Sequence, residues 1–390
     1  MKKQIGVLTS TRAEFGLLKP LIQNLMKDDC FEVKVLVTGA HLSPDFGYTY
    51  KEIEEARIPI AEKIECLTDG DNPRAISENM AMALRGFGEY FQKHKLDLLI
   101  VLGDRYETMA VCIAAMNFEI PIAHIHGGEA TEGLIDEAIR HSITKMSQLH
   151  FACTEMYRKR IVQMGEQPDR VFNVGALAVE NILNMDYISS EELGKAIGID
   201  LTKDYGVVTF HPVTLEKNSG VEQIREVLAA LTYFRNMSFI ITKANADAGG
   251  RRINEIIDDY ARKYDNVIAV TSLGVRKYLS AVKGCKVVIG NSSSGIIEAP
   301  CLHVPTVNIG DRQKGRFMPD SIINCIPEEE SIVKAINNAL DKEFQAKVLI
   351  MTNPFGDGNT SKTITAIIHG IFEQGGDINI KKSFYDLRWD

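Results

Sequence analysis

The sequence predicts an α/β protein built from two doubly wound domains, each with a parallel sheet between layers of helices. Short apolar segments alternate with amphipathic ones along the chain, which indicates repeated β–α–β units. A length of 390 residues exceeds one ordinary hydrophobic core and suits two domains. The alternation pauses across residues 174–204, where Asn184–Lys195 resembles a helical linker. We therefore expect one domain over residues 1–180 and a second over residues 200–355.

Each half contains five apolar segments that predict buried strands. In the first half these are Gln4–Leu8, Phe31–Val37, Asp97–Leu102, Pro121–Ile125 and His150–Thr154. In the second half they are Tyr205–Phe210, Ser238–Thr242, Val267–Val270, Lys286–Gly290 and Thr306–Ile309. Predicted helices are Leu17–Met26, Thr108–Met116, Asp136–Leu149, Gly220–Tyr233, Glu328–Lys342 and Ser361–Glu373. Ligands of such sheets bind at the carboxyl ends of the strands, so polar residues that follow strands are the functional candidates.

Composition excludes several classes of function. A formal net charge of -8 argues against a nucleic-acid-binding surface, which requires a basic face. No apolar run reaches the ~18 residues that span a bilayer, and the N-terminus lacks the features of a signal peptide. Seven scattered cysteines without a C-x-x-C pair are typical of reduced thiols. We expect a cytoplasmic enzyme with no membrane or nucleic-acid partner.

A polar segment follows the first predicted strand and precedes the first helix. It reads Thr9-Ser10-Thr11-Arg12-Ala13-Glu14. A helix N-terminus offers free backbone N–H groups and a favourable dipole to an anion, and Arg12 can hold a phosphate there. An ordinary helix cap with a surface arginine is the alternative interpretation. The dinucleotide fingerprint G-x-G-x-x-G is missing, so no nicotinamide cofactor is predicted.

The second half repeats this pattern after the Lys286–Gly290 strand, where three consecutive serines precede a helix. Hydroxyl and N–H groups of Ser292 and Ser293 can wrap a diphosphate, and Glu298 can accept hydrogen bonds from ribose hydroxyls. Arg312, after the next strand, offers another cation at the same edge. A serine-rich helix cap is the alternative interpretation.

The first half concentrates titratable residues after two central strands. Asp104 and Arg105 follow the first of these, where a carboxylate suits catalysis better than packing, although a structural Asp–Arg pair is possible. After the second comes His124-Ile125-His126-Gly127-Gly128-Glu129. Alternation places His124 and His126 on one face, and the double glycine permits a sharp turn or a close approach to a ligand.

The helix that follows adds Asp136 and Arg140, which are four residues apart on one face and can orient each other. The whole cluster predicts an acid–base site. A solvated helix face with a buried histidine is the unreactive alternative. A zinc site formed by the histidines with Glu129 and Asp104 is the functional alternative, but the spacing matches no established ligand motif.

Two further histidines follow strands. His211 ends the first strand of the second half, where it can contact a phosphate or a leaving group. His41 occupies an equivalent place after the second strand of the first half, with weaker support. A loop histidine with satisfied partners explains either residue equally well.

The order of these segments resembles one known family. STRAEFG, TGAHL, VLGDRYE, HIHGGE, IDEAIRHSITK, FHPVT, IGNSSSGIIE and NIGDRQKGR occur in sequence along the chain. Together they resemble the hydrolysing UDP-N-acetylglucosamine 2-epimerases of sialic-acid biosynthesis, over residues 1 to about 370. The resemblance implies a GT-B type fold of two Rossmann-like domains, with the active site in the cleft between them. It also implies nucleotide binding by residues 200–355, and a C-terminal helix within residues 356–390 that crosses back to the first domain.

The resemblance further implies residue roles. The family converts UDP-N-acetylglucosamine and water into UDP and N-acetylmannosamine without metal or nicotinamide, so no cofactor is expected. Its acid–base positions fall on Asp104, Asp136 and His126, and many relatives have Glu at the last of these. His126 or the nearby Glu129 can take that role here. The substrate-binding positions, with His41 added, are Arg12, His41, Arg105, Arg140, His211, Ser292, Ser293, Glu298 and Arg312. Homodimers or homotetramers are expected.

The chemistry explains why several acid–base groups converge. The C2–H bond of the sugar is not next to a carbonyl, so simple deprotonation is not feasible. Elimination of the nucleotide diphosphate from C1, with removal of the C2 proton, gives a glycal. Arg12, Arg312, His211 and the serine loop would stabilise the leaving diphosphate. Water then adds at C1 and a second acid protonates C2 from the opposite face.

Four alternatives stay open at this point. The same reaction on UDP-2,4-diacetamido-2,4,6-trideoxyglucose, as in legionaminic-acid routes, fits the motifs equally. A non-hydrolysing epimerase, a GT-B glycosyltransferase and a non-catalytic sugar-nucleotide sensor are the others. The last two do not need the cluster of Asp104, His126 and Asp136, so the sequence favours an epimerase.

Overall fold

The computed structural model describes residues 2–68, 72–131, 135–211, 219–243 and 250–387. The chain divides into two compact units. The first consists of Met1–Glu180 with Gly356–Asp390, and the second of Asn181–Phe355. Each has its own hydrophobic core of buried residues.

The first unit begins with seven strands and the helices that alternate with them. The strands are β1 (Lys3–Thr9), β2 (Phe31–Thr38), β3 (Ile60–Ile64), β4 (Leu98–Leu102), β5 (Ile122–Ile125), β6 (Leu149–Ala152) and β7 (Val171–Asn173). The helices are α1 (Arg12–Lys27), α2 (Tyr50–Glu55), α3 (Pro73–Lys93), α4 (Tyr106–Asn117), α5 (Ile135–Met146), α6 (Glu155–Gln163) and α7 (Leu177–Leu183). Short 3-10 turns occur at Gly39–Leu42, Pro44–Phe46 and Pro168–Arg170.

The second unit follows the same plan. Its strands are β8 (Tyr205–Thr209), β9 (Ser238–Thr242), β10 (Val267–Val270), β11 (Val287–Gly290), β12 (Thr306–Ile309) and β13 (Ile322–Cys325). Its helices are α8 (Ser190–Ile197), α9 (Ser219–Leu231), α10 (Gly250–Ala261), α11 (Gly274–Gly284), α12 (Ser294–Cys301), α13 (Glu329–Leu340) and α14 (Lys342–Leu349). The last helix of the chain, α15 (Thr360–Gly375), belongs to the first unit.

Both sheets are parallel and doubly wound. The strand order is β3-β2-β1-β4-β5-β6-β7 in the first and β10-β9-β8-β11-β12-β13 in the second. The central strand Leu98–Leu102 is buried at every residue, as expected for a strand covered by helices on both faces. The order reverses between β1 and β4 and between β8 and β11, and these two places are where such sheets bind ligands.

Helix α15 completes the core of the first unit. Ile364, Ile368 and Phe372 pack into the cluster formed by the strands and α1. The Glu180 carboxylate accepts hydrogen bonds from the N–H and the hydroxyl of Ser361, at 2.8 and 2.6 Å, which anchors the first turn of the helix. Among the described residues, no helix is long and apolar enough to cross a membrane.

The predicted strands are confirmed within one or two residues, because each is a continuous apolar run. The linker prediction over Asn184–Lys195 is wrong in detail: residues 184–189 are not helical, and α8 starts at Ser190 with Ser189 as its cap. The predicted helix Asp136–Leu149 is too long, since α5 ends at Met146 and Leu149 opens β6. Strands β3, β7 and β13 were not predicted: the three middle residues of β3 are exposed and two of them are charged, and β7 and β13 span only three and four residues.

We predict that α15 is part of the folding unit rather than an appendage. Ile368→Ala removes a fully buried side chain and should lower the free energy of unfolding by about 2–5 kcal/mol. The matched control Ile350→Ala changes a side chain that is 84% exposed and should cost less than about 0.5 kcal/mol. Urea unfolding measures both, and equal effects would contradict this packing.

Candidate active site

Candidate residues of the first unit meet where its strand order reverses. Arg12 follows β1, and Asp104 and Arg105 follow β4. A cavity of about 1140 Å³ opens at this edge, and Arg12, Arg105 and Tyr106 are among its lining residues. Two arginines beside a cavity at a switch point suit an anionic ligand.

Arg140 on α5 holds Asp104 in place. Its guanidinium is only 6% exposed and forms an ion pair with the Asp104 carboxylate. It also donates to the Glu129 carbonyl at 2.9 Å and to the Thr131 hydroxyl at 2.8 Å. The sequence spacing suggested that Arg140 would orient Asp136, but its ion pair is with Asp104. One side chain thus fixes the loops after β4 and β5.

Asp136, in the first turn of α5, differs from Asp104 in its surroundings. Partial burial is the larger cause that raises the pKa of Asp136, and the negative charge of Asp104 raises it further. A carboxyl with a raised pKa keeps its proton closer to neutral pH and can donate it. The two carboxyl groups are therefore suited to different steps of a proton-transfer reaction.

The segment after β5 places His126 beside Glu129. The His126 Nδ1 lies 3.6 Å from a Glu129 carboxylate oxygen, and its backbone is left-handed with φ 65°. Its Nε2 is buried and has no hydrogen-bond partner among the described residues. A non-glycine residue in this conformation carries backbone strain, which functional sites often retain.

Two neighbours of this segment explain its shape. The Cys153 thiol donates to the same Glu129 oxygen at 3.2 Å. A Cβ at Gly128 would lie 2.5 Å from the Tyr157 carbonyl oxygen, so only glycine fits where the chain passes α6. The second glycine of the pair therefore serves close packing.

His124 and His41 are buried and fully hydrogen-bonded, which separates them from His126. His124 contacts the Gly103 carbonyl at 2.7 Å and the Thr144 hydroxyl at 3.1 Å. His41 contacts the hydroxyls of Thr9 at 3.0 Å and Thr49 at 2.8 Å. His41 thus offers no free ring nitrogen in this structure, and its substrate contact stays a prediction.

The N-terminus of α1 forms a capping box. Glu14 accepts hydrogen bonds from the Ser10 N–H at 2.7 Å and the Thr11 N–H at 3.2 Å, and Thr11 caps the Glu14 N–H. Burial raises the pKa of Glu14, whereas the Ser10 bonds lower it. The N–H groups of Ser10 and Thr11 are therefore already occupied, and anion binding by this segment stays a prediction. Arg12 is exposed, and its Nε lies 3.0 Å from Glu52.

Arg105 is anchored by Glu107, a residue that no motif of the sequence indicated. Its Nε donates to the fully buried Glu107 at 2.7 Å. The other Glu107 oxygen is buried without a hydrogen-bond partner among the described residues. Burial disfavours the charge on Arg105, but the neighbouring Glu107 outweighs it and raises the pKa of the guanidinium. Arg105 is thus a permanent cation at the cavity.

In the second unit, Asn291 joins the three strand ends that carry candidate residues. It exchanges two 2.8 Å hydrogen bonds with the backbone of His211. The backbone carbonyl of Asn291 accepts hydrogen bonds from the Arg312 guanidinium at 3.0 Å and from the Gln313 side-chain amide at 2.8 Å. The structure therefore brings His211 and Arg312 together beside the serine segment. The FHPVT motif continues into residues 212–214, outside the described part of the chain.

The serine segment precedes and opens helix α12. Ser293 is the N-cap of α12 but makes no side-chain capping bond. Ser294, by contrast, donates to Glu298 and accepts from Tyr278 at 2.9 Å. Burial raises the pKa of Glu298, and the Ser294 bond opposes this. The Ser292 hydroxyl accepts a hydrogen bond from the Ser294 N–H at 3.4 Å, and the predicted diphosphate contacts of Ser292 and Ser293 stay a prediction.

The zinc hypothesis finds no support in the geometry. Within the described ranges, the one group of three potential ligands whose atoms lie within 4.8 Å of one another is Asp28, Cys30 and His369. That group lies at the end of α1 and on α15. His124, His126 and Glu129 form no such group there.

Comparison with known proteins decides the family. The sequence profile of the UDP-N-acetylglucosamine 2-epimerases matches residues 23–369. This chain belongs to that family. Membership confirms the family prediction and the prediction of an enzyme of the nucleotide-sugar epimerase type.

Two relatives of this epimerase family member align over most of their lengths. The GDP/UDP-N,N′-diacetylbacillosamine 2-epimerase (hydrolyzing) of Campylobacter jejuni is 42% identical, over 88% of this chain and 89% of the relative. The polysialic acid biosynthesis protein P7 of Escherichia coli is 39% identical, over 99% of this chain and 98% of the relative.

The fold of the epimerase is also that of solved structures. The UDP-GlcNAc 2-epimerase of Neisseria meningitidis, bound to UDP-GlcNAc, has a TM-score of 0.75 and 19% identity. The match covers 94% of this chain and 100% of that one. The GT-B-like architecture of two parallel sheets with helices is thereby confirmed.

The buried neutral histidines make folding of the epimerase pH-dependent. Burial lowers the pKa of His41 to about 4 and that of His124 to about 3. Below about pH 6.5 the unfolded chain binds protons at these residues that the folded chain does not. The free energy of unfolding should therefore fall with decreasing pH, by about 1 kcal/mol per pH unit per histidine near pH 5.

Urea unfolding of the wild type and His41→Asn at pH 7, 6 and 5 measures this slope. The slope of the variant should be smaller than that of the wild type by the contribution of one histidine, about 1 kcal/mol per pH unit near pH 5. The control His94→Asn, at an exposed position, should keep the wild-type slope. A His41→Asn slope equal to that of the wild type would contradict a buried neutral histidine.

Proposed function

We propose that the protein is a hydrolysing 2-epimerase that converts UDP-N-acetylglucosamine and water into UDP and N-acetylmannosamine. The acid–base cluster of Asp104, Asp136, His126 and Glu129, in a member of this family, is the observation that carries the proposal. A glycosyltransferase needs an acceptor site but no base at C2 of the sugar, and a sensor needs no acid–base groups. The differing environments of the two aspartates support paired proton transfers.

The first proposed step is elimination. A base removes the C2 proton, the C1–C2 double bond forms, and the C1–O bond breaks with its electrons passing to UDP. Arg12 and Arg105 in the first unit, and Arg312 with the Ser292–Ser293 hydroxyls in the second, are the proposed anion-stabilising groups. His211 is proposed to assist the leaving diphosphate.

The second proposed step is hydration. A proton is delivered to C2 of the glycal from the face opposite to the one that lost it, the C1–C2 double bond becomes a single bond, and water adds its oxygen to C1 and gives up one proton to solvent. Asp136 suits this delivery because its pKa is raised by burial and by Asp104. His126 is the proposed acceptor of the first proton, because its Nε2 makes no hydrogen bond among the described residues and a Glu129 oxygen lies 3.6 Å from its Nδ1.

A second candidate substrate is UDP-N,N′-diacetylbacillosamine, which carries a 4-acetamido group and lacks the 6-hydroxyl. The relative at 42% identity is named for this sugar, linked to GDP or UDP. The chemistry at C1 and C2 is the same for both sugars, so the acid–base cluster does not distinguish between them.

The test is to incubate the purified protein with each UDP-sugar and to identify nucleotide and sugar products separately. Free UDP with N-acetylmannosamine, or with the corresponding 4-acetamido-6-deoxy mannose-configured sugar, supports the proposal and names the substrate. A UDP-linked epimer would instead indicate a non-hydrolysing enzyme. No product from either sugar would overturn the proposal.

A cytoplasmic homo-oligomer is part of the same proposal. Seven free cysteines, six of them largely or fully removed from solvent, support a reducing compartment. Light scattering coupled to gel filtration tests the dimer or tetramer, and a monomer at working concentration would contradict it.

We predict that Asp104→Asn and Asp136→Asn each lower turnover at least ~100-fold, the usual scale for general acid–base groups. Asp265→Asn, at an exposed position in the second unit, should leave turnover unchanged. Initial rates of UDP release measure all three, with thermal unfolding as a check on folding. An Asp136→Asn variant with near-wild-type turnover would remove that residue from the mechanism.

The roles of His126 and Glu129 can be separated in the same assay. If His126 transfers the proton and Glu129 orients it, His126→Gln should cost at least ~100-fold and Glu129→Gln less. A larger loss in Glu129→Gln would assign the proton transfer to the carboxylate instead.

A further inference from the structure

The chain that follows α15 returns along the surface beside α5. Ile378 is buried in the first core, and the Tyr385 N–H donates to the Gly165 carbonyl at 2.9 Å. The Gln167 side chain donates to the Ser383 hydroxyl at 3.0 Å. A Cβ at Gly165 would lie 2.3 Å from the Phe384 ring, so the ring packs directly on that glycine. We call residues 378–385 the C-terminal segment.

Lys382 in the C-terminal segment caps helix α5. Its ammonium donates to the carbonyls of Lys145 at 2.9 Å and Ser147 at 2.7 Å, which lie at the C-terminal end of the helix. These are carbonyls that a helix cannot satisfy internally, and a cation there also interacts favourably with the helix dipole. The side chain supplies the cap from more than 230 residues away in sequence.

Glu166 ties this cap to the neighbouring strand. Its carboxylate is 2% exposed and contacts the ammonium groups of Lys382 at 2.6 Å and Lys145 at 2.5 Å. It also contacts His150 Nε2 in β6 at 3.1 Å. Burial disfavours the carboxylate, but hydrogen bonds from His150, Lys145 and Lys382 outweigh it and lower the pKa of Glu166 to about 2. Removal of one of these partners would leave the buried negative charge incompletely balanced, which is strongly destabilising.

The other end and the inner face of α5 carry the candidate site. Asp136, Arg140 and Thr144 recur every four residues and so share one face of the helix. Arg140 holds Asp104, and Thr144 contacts His124, whose other nitrogen contacts the Gly103 carbonyl next to Asp104. The position of α5 therefore sets the distance between the two aspartates.

We propose that Lys382 is a positioning residue, which fixes the C-terminal end of α5 and thereby the placement of Asp136 and Arg140 against Asp104. This inference rests on the proposed function, because it concerns the efficiency of the same reaction. A misplacement of about 1 Å at a reacting centre can cost up to about 100-fold in rate. Lys382 is not among the residues named as lining the cavity beside Arg12 and Arg105, so we expect loss of the cap to lower kcat rather than to change KM.

The experiment compares Lys382→Met, Lys382→Arg and the control Lys381→Met in the full chain. Lys381 is the exposed neighbour of Lys382. Wild-type turnover of UDP-N-acetylglucosamine and UDP-N,N′-diacetylbacillosamine is measured first, and the sugar that is turned over is used for every variant. Values of kcat and KM come from UDP release, and thermal unfolding is followed by circular dichroism.

Lys382→Met should lower kcat about tenfold or more, with KM within about twofold of wild type. Lys382→Arg, which keeps a cationic donor, should recover most of the loss, and Lys381→Met should behave as wild type. If Lys382→Met does not fold, Lys382→Gln, which keeps a donor without the charge, is judged by the same criterion.

Two results separate the possible failures. No turnover by the wild type with either sugar would refute the proposed function. Turnover by the wild type together with an unchanged kcat in a folded Lys382→Met or Lys382→Gln variant would refute the positioning role alone. A loss of kcat that arginine does not restore would also refute it, because a cationic cap is what the inference requires.

Discussion

The ion pair between Arg140 and Asp104 is the constraint on which the candidate site depends. The arginine is almost completely buried, so its charge must be balanced by a partner. The same guanidinium holds the Glu129 carbonyl and the Thr131 hydroxyl. The loop after β4, the segment after β5 and helix α5 are thus joined through one side chain.

This arrangement places two carboxyl groups near each other in unequal environments. Asp104 is paired with a cation, whereas the pKa of Asp136 is raised by burial and by the charge of Asp104. Unequal environments are how one site carries a proton acceptor and a proton donor at the same pH. The histidines divide in the same way, because His124 is locked inside the sheet while His126 keeps an unbonded nitrogen.

Much of the fold could be predicted from the sequence, because parallel strands buried on both faces leave continuous apolar runs. The limits appeared where this signal is absent, as in the polar edge strand Ile60–Ile64. Residues directly after strands were also predictable candidates, since topology brings strand ends together. The partners of those residues were not: nothing in the local sequence indicates that Arg140 reaches Asp104, 36 residues away, or that Glu107 anchors Arg105.

Partners contributed from distant sequence were missed for the same reason. Asn291 lies within the IGNSSSGIIE segment, yet only the structure shows that it holds the backbone of His211, 80 residues away. The Lys382 cap of α5 joins residues that no local pattern relates. The sequence also did not indicate that Glu14, within the same motif as Arg12, accepts hydrogen bonds from the N–H groups of Ser10 and Thr11.

The proposed elimination with inversion at C2 is tested by proton NMR in heavy water without added metal. Free UDP should appear together with a mannose-configured amino sugar that carries deuterium at C2, because the C2 proton is lost to a base and replaced from solvent. Release of UDP with a sugar that retains the original proton at C2 would rule out this elimination.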